Sequence, residues 1–213
     1  MPSIGGPIEF YFDLISPYGY FASTQIEAVA ARHGRDVDWK PVLLGVTVMK
    51  VMGLPPLMQV PVKKDYLRHD KPRMAKLLGV PFREHGLAGV NSLAASRAFL
   101  FLKVKDAQLA KQFAKRIYLR LWVEGRDITA PEAIAEEASA LGADRQAVLE
   151  AVASAEMKEA LKSAVDTAVA RGVFGVPTFI VDGEPIWGVD RLWMLEHWLE
   201  HGAWSPLSGI TKT

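Results

Sequence analysis

The 213-residue sequence contains no cysteine. This absence excludes disulfide bonds, thiolate metal sites, a cysteine nucleophile and any dithiol redox cycle carried by the protein's own side chains. The sequence also lacks an uninterrupted apolar run of about 18 residues, so we predict no membrane-spanning helix and no membrane partner. Met1 to Pro7 lack positive charge and an apolar core, so we expect no signal peptide and a cytoplasmic location.

The sequence also lacks an excess of positive or negative charge. The 25 basic and 24 acidic residues give a formal net charge of +1. We therefore expect no nucleic-acid partner. Among the five histidines, only His197 and His201 have a metal-like i,i+4 spacing, and no third ligand follows them. The sequence thus predicts surface histidines and no metal site.

The start of the chain has the pattern of a βαβ unit. Ile8 to Phe12 alternates and is rich in aromatic and β-branched residues, which predicts a strand. Ser16 is placed as a helix N-cap with Pro17 at the first helical position, and the helix continues to Gly34. Val37 to Leu44 predicts a second strand, interrupted by Pro41. Such units normally have parallel strands.

The middle of the chain has the periodicity and the end signals of consecutive helices. The predicted segments are Val62 to Leu78, Ser92 to Val104, Ala107 to Val123, a helix opened by a capping box at Thr129–Glu132 with Pro131 at N1, and two helices capped by Asp144 and Ser154, the last ending at Gly172.

The chain then returns to strands. Thr178 to Val181 and Glu184 to Trp187 flank Asp182-Gly183, which predicts a hairpin with a two-residue primed turn. Asp190 is predicted to cap a last helix, Arg191 to His201. The order βαβ, helices, ββα predicts an α/β fold whose middle is a large all-helical insertion.

This order resembles the DsbA-like thioredoxin superfamily, and within it the branch of 2-hydroxychromene-2-carboxylate isomerases and kappa-class glutathione transferases. The motifs that carry the resemblance are Phe10-Tyr11-Phe12-Asp13, Ser16-Pro17-Tyr18-Gly19, Lys63-x-Asp65-Tyr66 with Asp70, Arg73, Gly79 and Pro81, Phe174-Gly175-Val176-Pro177-Thr178, and Trp187-Gly188-Val189-Asp190-Arg191. The resemblance implies a thioredoxin-like domain formed by residues 1–46 and 160–213, with a helical insertion domain at residues 47–159.

The resemblance also implies that glutathione is the cofactor and that Ser16 is the catalytic residue. Ser16 stands where redox relatives carry a reactive thiol. Its hydroxyl can donate a hydrogen bond to an external thiolate, and the helix N-terminus favours negative charge. Together these effects are worth roughly 2 kcal/mol, which lowers a thiol pKa by more than one unit. A serine before proline is also an ordinary helix cap, and both roles stay open.

Two further segments are implied to bind glutathione. Val176-Pro177 resembles a cis-proline element, in which the Val176 backbone pairs with the cysteinyl part of the peptide. Trp187, Gly188, Val189 and Asp190 match the segment that holds the γ-glutamyl end. The alternatives are a proline that begins an edge strand and an aspartate that only caps a helix.

For the second substrate, the resemblance points to Lys63 as a cation near the bound carboxylates and to Asn91 as a weaker contact. A solvated helix face and a turn residue are the respective alternatives. Relatives often carry an asparagine after the loop prolines, whereas this chain has Leu57-Met58. The apolar residues of this region form either an adaptable wall of the site or ordinary core: Met49, Met52, Leu54, Leu57 and Met58.

The implied activity is isomerisation of an aromatic-derived carboxylate by reversible addition of glutathione thiolate, bond rotation and elimination. A kappa-like glutathione transferase acting on an electrophile is the first alternative. A non-catalytic thioredoxin-fold protein that binds a peptide or partner chain at the Val176 edge is the second. Family analogy also predicts a homodimer, with Trp204 as an aromatic residue expected on the surface.

Overall fold

A computed structural model describes residues 5–206 of the chain, so Met1 to Ile4 of the segment considered for a signal peptide lie outside it. Its sheet contains β1 (Ile8–Phe12), β2 (Val37–Pro41), β3 (Thr178–Val181) and β4 (Glu184–Trp187), in the order β2-β1-β3-β4. β1 pairs with β2 in parallel and with β3 antiparallel. The carboxyl end of β1 therefore lies beside the start of β3, and these are the two ends that carry Ser16 and Pro177.

The helices of the described residues follow the predicted order. They are α1 (Pro17–Ser23), α2 (Ile26–Arg32), α3 (Lys63–Leu78), α4 (Leu93–Lys105), α5 (Ala107–Trp122), α6 (Pro131–Ser139), α7 (Arg145–Ala153), α8 (Ala155–Ala170) and α9 (Leu192–His201), with a π-helical turn at Gly45–Val51 and 3-10 turns at Leu57–Gln59 and Val189–Arg191. This order confirms the predicted α/β fold with many inserted helices. None of these helices is long and apolar enough to cross a membrane.

The aromatic side chains of β1 join the sheet to the inserted helices. Phe10 and Phe12 are fully buried, and both rings pack against Trp39 on β2 in T-shaped geometry. The Phe12 ring also lies 5.1 Å from that of Phe99 on α4 and 6.3 Å from that of Tyr118 on α5. Because one core cluster spans strands and helices, α4 and α5 are packed directly against the element that leads to Ser16. The division into two domains stays a prediction.

Several predicted local signals are confirmed. The side chains of Ser16, Asp144 and Ser154 accept hydrogen bonds from the third following backbone N–H, at 3.0 to 3.1 Å. The hairpin turn is primed, since φ is 52° at Asp182 and 90° at Gly183.

Two predicted caps are wrong. The N-cap of α6 is Ala130, and Thr129 instead accepts a hydrogen bond from the Asn91 backbone. Pro131 does stand at the first helical position. Asp190 does not cap the last helix, because a 3-10 turn over Val189–Arg191 precedes α9, whose N-cap is Arg191 without a side-chain bond.

Two predicted lengths are also wrong. The helix expected from Pro17 to Gly34 is divided at Thr24, whose hydroxyl donates to the Phe21 carbonyl at 2.7 Å and competes with the helical backbone bond. β2 ends at Pro41 and not at Leu44, because β1 ends at Phe12 and the Leu44 N–H donates to the Asp13 carboxylate.

Candidate active site

Ser16 occupies the turn between β1 and α1. The residue is buried, with 4% of its surface exposed, and its Oγ accepts a 3.1 Å hydrogen bond from the Gly19 N–H. This bond uses the hydroxyl as an acceptor, so its proton remains available for an anion. The first turn of α1 contains no acidic residue that would offset the positive helix end. Ser16 is therefore both a helix cap and a hydrogen-bond donor suited to an external thiolate.

Asp13 holds the turn between β1 and α1 in place from the protein interior. Its carboxylate is 1% exposed and accepts hydrogen bonds from Ile15 N, Leu44 N and Ser92 Oγ at 3.2, 2.8 and 2.5 Å. Burial raises the pKa of Asp13, although these three bonds act in the opposite direction. The Tyr118 hydroxyl donates to the Asp13 carbonyl at 3.1 Å. Asp13 thus links the turn to α4 and α5, a role that its place in the Phe10-Tyr11-Phe12-Asp13 motif did not predict.

The Val176–Pro177 peptide bond is cis, as the resemblance implied. The Pro177 carbonyl accepts from Gly188 N at 2.9 Å, and the Thr178 hydroxyl donates to the Gly175 carbonyl at 2.7 Å. Within residues 5–206, the N–H and C=O of Val176 take part in no hydrogen bond. This backbone is available to pair with an extended peptide.

Trp187 ends β4, and the residues that follow it, up to Asp190, turn back towards α1. The Trp187 ring is half exposed and contacts the ring of Phe174, with centroids 5.0 Å apart. Gly188 has φ of 109°, and a Cβ there would lie 2.4 Å from Asp190 Oδ1, so this close turn requires glycine. Asp190 is exposed, and its carboxylate lies 3.7 Å from the Arg191 guanidinium.

A carboxylate–phenol cluster joins α1 to α3. The hydroxyls of Tyr18 and Tyr66 donate to the two oxygens of Asp70, at 2.6 and 3.1 Å. Burial is the largest cause that raises the pKa of Tyr18, Asp70 is the next, and the nearby Asp190 carboxylate adds to it. Asp190 thus lies near the first turn of α1. The pairing of Asp70 with Tyr18 was not predicted from the motif that contains Asp70.

Lys63 begins α3 and is exposed. It precedes Asp70 by seven residues, so both lie on one face of the helix, about 10 Å apart along the axis. The preceding residue, Val62, is 80% exposed with φ of 67°, a conformation that a β-branched residue rarely adopts. On this face of α3, Asp70 is the residue that contacts α1, through Tyr18, and a role of Lys63 towards a substrate stays a prediction.

Asn91 has the contacts of a turn residue. Its Oδ1 accepts from Leu93 N at 3.2 Å, and its own N–H donates to Thr129 Oγ1. The next residue, Ser92, is the one that reaches Asp13. A direct role of Asn91 towards a substrate stays a prediction.

The apolar residues around the loop prolines are on the surface. All five are more than a third exposed, which excludes ordinary core packing: Met49, Met52, Leu54, Leu57 and Met58. The alternative of an exposed apolar wall remains, and the place of this wall beside the site stays a prediction. Among residues 5–206 there is no group of three or more side chains that could hold a metal ion. The rings of His197 and His201, the pair with i,i+4 spacing, stack on each other with centroids 4.3 Å apart.

The sheet order, the cis-proline beside the first helix and the inserted helices define a thioredoxin fold in which Ser16 caps the first helix. Residues 7–200 match the model of the DSBA-like thioredoxin domain, so the chain belongs to that family. The predicted membership of this superfamily is confirmed.

The curated relatives are enzymes by name. The chain is 31% identical to 2-hydroxychromene-2-carboxylate isomerase of Pseudomonas putida over 192 residues, which cover 89% of this chain and 92% of the relative. It is 26% identical to human glutathione S-transferase kappa 1 over 212 residues, with coverage of 94% and 93%. A solved structure of a 2-hydroxychromene-2-carboxylate isomerase superposes with a TM-score of 0.81 at 29% identity, covering 91% of this chain and 94% of that one.

Proposed function

We propose that the protein is a glutathione-dependent isomerase that acts on an aromatic-derived carboxylate, as 2-hydroxychromene-2-carboxylate isomerase does. The observation that carries the proposal is the Ser16 hydroxyl at the N-terminus of α1, in a chain that has no thiol of its own. The names of the relatives support the reaction class.

The residues present suit glutathione. When bound, glutathione supplies a thiolate that can add reversibly to a conjugated substrate and so permit rotation about a former double bond. Ser16 donates a hydrogen bond to the sulfur, and the positive end of α1 lowers the cost of its charge. The free backbone groups of Val176 pair with the cysteinyl unit, and the Trp187–Asp190 segment offers a carboxylate for the γ-glutamyl ammonium. Lys63 supplies a cation on the facing helix.

A kappa-like glutathione transferase is the second candidate, because the human kappa relative covers nearly the whole chain. The two activities differ in their products. An isomerase regenerates glutathione, whereas a transferase releases a stable thioether. Product analysis by mass spectrometry with 2-hydroxychromene-2-carboxylate and with a halodinitrobenzene separates them.

The role of Ser16 can be tested against a matched helix cap. Ser16→Ala and Ser154→Ala each remove one cap hydrogen bond, so each costs about 1 kcal/mol of stability. Only Ser16→Ala should lower glutathione-dependent turnover, by about a hundredfold or more, and raise the pKa of the bound thiol. Turnover that survives Ser16→Ala would contradict the mechanism. Absence of glutathione binding by calorimetry at millimolar concentration would favour a non-catalytic binding protein.

We further propose that the enzyme is a cytoplasmic homodimer with residues 47–159 as its insertion domain. The family analogy supports the dimer, and the exposed side chain of Trp204 is compatible with a contact surface. Light scattering across a concentration range gives the mass in solution, and a constant monomer mass would contradict the dimer.

A further inference from the structure

Lys71 is a buried cation on α3. It directly follows Asp70, so it lies on a neighbouring face of the helix. Its side chain is 4% exposed, and its ammonium lies 2.6 Å from the carboxylate of Glu84. Its next polar neighbour is Met58 Sδ at 3.9 Å, a member of the exposed apolar wall. A buried ammonium has three donors, and this one has a single strong acceptor within the described chain.

Glu84 is an unusual partner for a buried lysine, because its own side chain is 49% exposed. It belongs to the segment between α3 and α4. Residues 84–90 of that segment make no backbone hydrogen bond to the rest of residues 5–206. The Glu84 carboxylate is therefore held mainly by Lys71. It can move away from Lys71 without breaking a backbone hydrogen bond of a helix or strand.

His85 lies beside this pair and has an unused polar atom. Its Nδ1 is buried and has no hydrogen-bond partner in the part of the chain that the structure describes. Burial lowers the pKa of this imidazole, with Lys71 acting in the same direction and Glu84 in the opposite one. His85 directly follows Glu84, the residue that contacts Lys71. A buried ring nitrogen without a partner is costly unless a ligand supplies one.

The cluster is next to the Ser16 turn. The His85 ring contacts the ring of Trp122 with centroids 4.7 Å apart. The Trp122 indole donates to the Leu14 carbonyl at 3.4 Å, two residues before Ser16. One aromatic side chain therefore separates the cluster from the backbone that positions the catalytic hydroxyl.

We propose that Lys71 and His85 bind the carboxylate of the second substrate, and that Glu84 occupies this position until the substrate carboxylate replaces it. The cluster offers a buried cation and a ring nitrogen, in contact with the thioether of Met58 and the indole of Trp122. This combination suits a planar aryl carboxylate. The inference rests on the proposed function for the identity of the ligand, but its test does not require turnover.

Calorimetry with cinnamate and its neutral analogue cinnamamide tests the proposal. Wild-type protein should bind cinnamate more tightly than cinnamamide. Lys71→Met should weaken cinnamate binding about tenfold or more, because a charged hydrogen bond is lost. Glu84→Gln should strengthen it several-fold, because the competing internal carboxylate is removed. His85→Phe, which keeps the ring contact with Trp122, should weaken it by a smaller factor.

Lys76→Met is the matched control, since Lys76 is an exposed lysine on the same helix. It should leave cinnamate affinity unchanged. Glutathione affinity should be the same in every variant. If glutathione does not bind the wild type, the proposed function is rejected, and the cinnamate affinities still test the carboxylate site independently. A loss of cinnamate affinity in Glu84→Gln equal to that in Lys71→Met, or no change in either, rejects the substrate-carboxylate site and leaves a structural ion pair.

Discussion

The Tyr18 hydroxyl donates a 2.6 Å hydrogen bond to Asp70, which ties the first turn of the Ser16 helix to the middle of α3. The two residues are 52 positions apart in sequence. Because Tyr18 is only two residues from Ser16, this bond fixes the distance between the proposed sulfur site and the helix that carries Lys63.

Tyr18→Phe should destabilise the protein by about 1 to 2 kcal/mol, because the Asp70 carboxylate loses a partly buried donor. Thermal unfolding measures the loss. Tyr66→Phe is the control, since its bond to the other Asp70 oxygen is longer and exposed, and it should destabilise the protein clearly less than Tyr18→Phe does. Equal losses in the two variants would contradict a special role for the Tyr18 bond.

Gly19 leaves room for a tyrosine hydroxyl. A Cβ on Gly19 would lie 2.6 Å from Tyr118 Oη, which is too close for a normal contact. Gly19→Ala should therefore destabilise the protein by about 1 to 3 kcal/mol, although alanine is normally favoured in a helix. In a Tyr118→Phe background the same change should be close to neutral.

The double-mutant cycle over Gly19 and Tyr118 gives the coupling directly from urea unfolding. Tyr118→Phe alone also removes the bond to the Asp13 carbonyl, and this loss is subtracted within the cycle. A coupling energy near zero would show that the steric explanation is wrong.

Val62→Gly should stabilise the protein by about 1 kcal/mol. The valine has positive φ and an exposed side chain, so glycine relieves backbone strain at little loss of packing. Val60→Gly is the control, because Val60 has φ of −82° and gains no such relief. Chemical denaturation of both variants checks the sign, and destabilisation by Val62→Gly would be contrary to this explanation.

Glu137 contributes stability that depends on pH. Burial would raise the pKa of Glu137, but hydrogen bonds from Arg116 and Arg120 outweigh it and lower the pKa below its usual value. A carboxyl with a lowered folded-state pKa stabilises the protein fully above the unfolded-state pKa, near 4.3, and loses this contribution as pH falls through the folded-state pKa.

Glu137→Gln should therefore destabilise the protein by about 3 kcal/mol at pH 7, because Arg120, with 8% of its side chain exposed, loses a buried counterion. The difference from wild type should shrink as pH falls below about 4. Urea unfolding at several pH values measures this, and a pH-independent difference would refute the assignment.

The local signals of the sequence were sufficient for most elements. Alternation predicted β1, and the caps at Ser16, Asp144 and Ser154 were identified because an N-cap bond connects residues only three apart. The same local reasoning failed at Thr129 and Asp190. The Thr129 hydroxyl accepts a hydrogen bond from the distant Asn91 N–H, which no short window of sequence contains. At Asp190 a 3-10 turn over Val189–Arg191 precedes α9.

What the sequence by itself determined is the chemistry that the protein lacks and the place where a substitute is needed: a chain without cysteine has a serine and a proline at the start of its first helix. Tertiary structure decided which distant groups surround that serine. Tertiary packing brings together Asp13 with Ser92, Tyr18 with Asp70 and Lys71 with Glu84. Such packing depends on the whole core rather than on spacing along the chain.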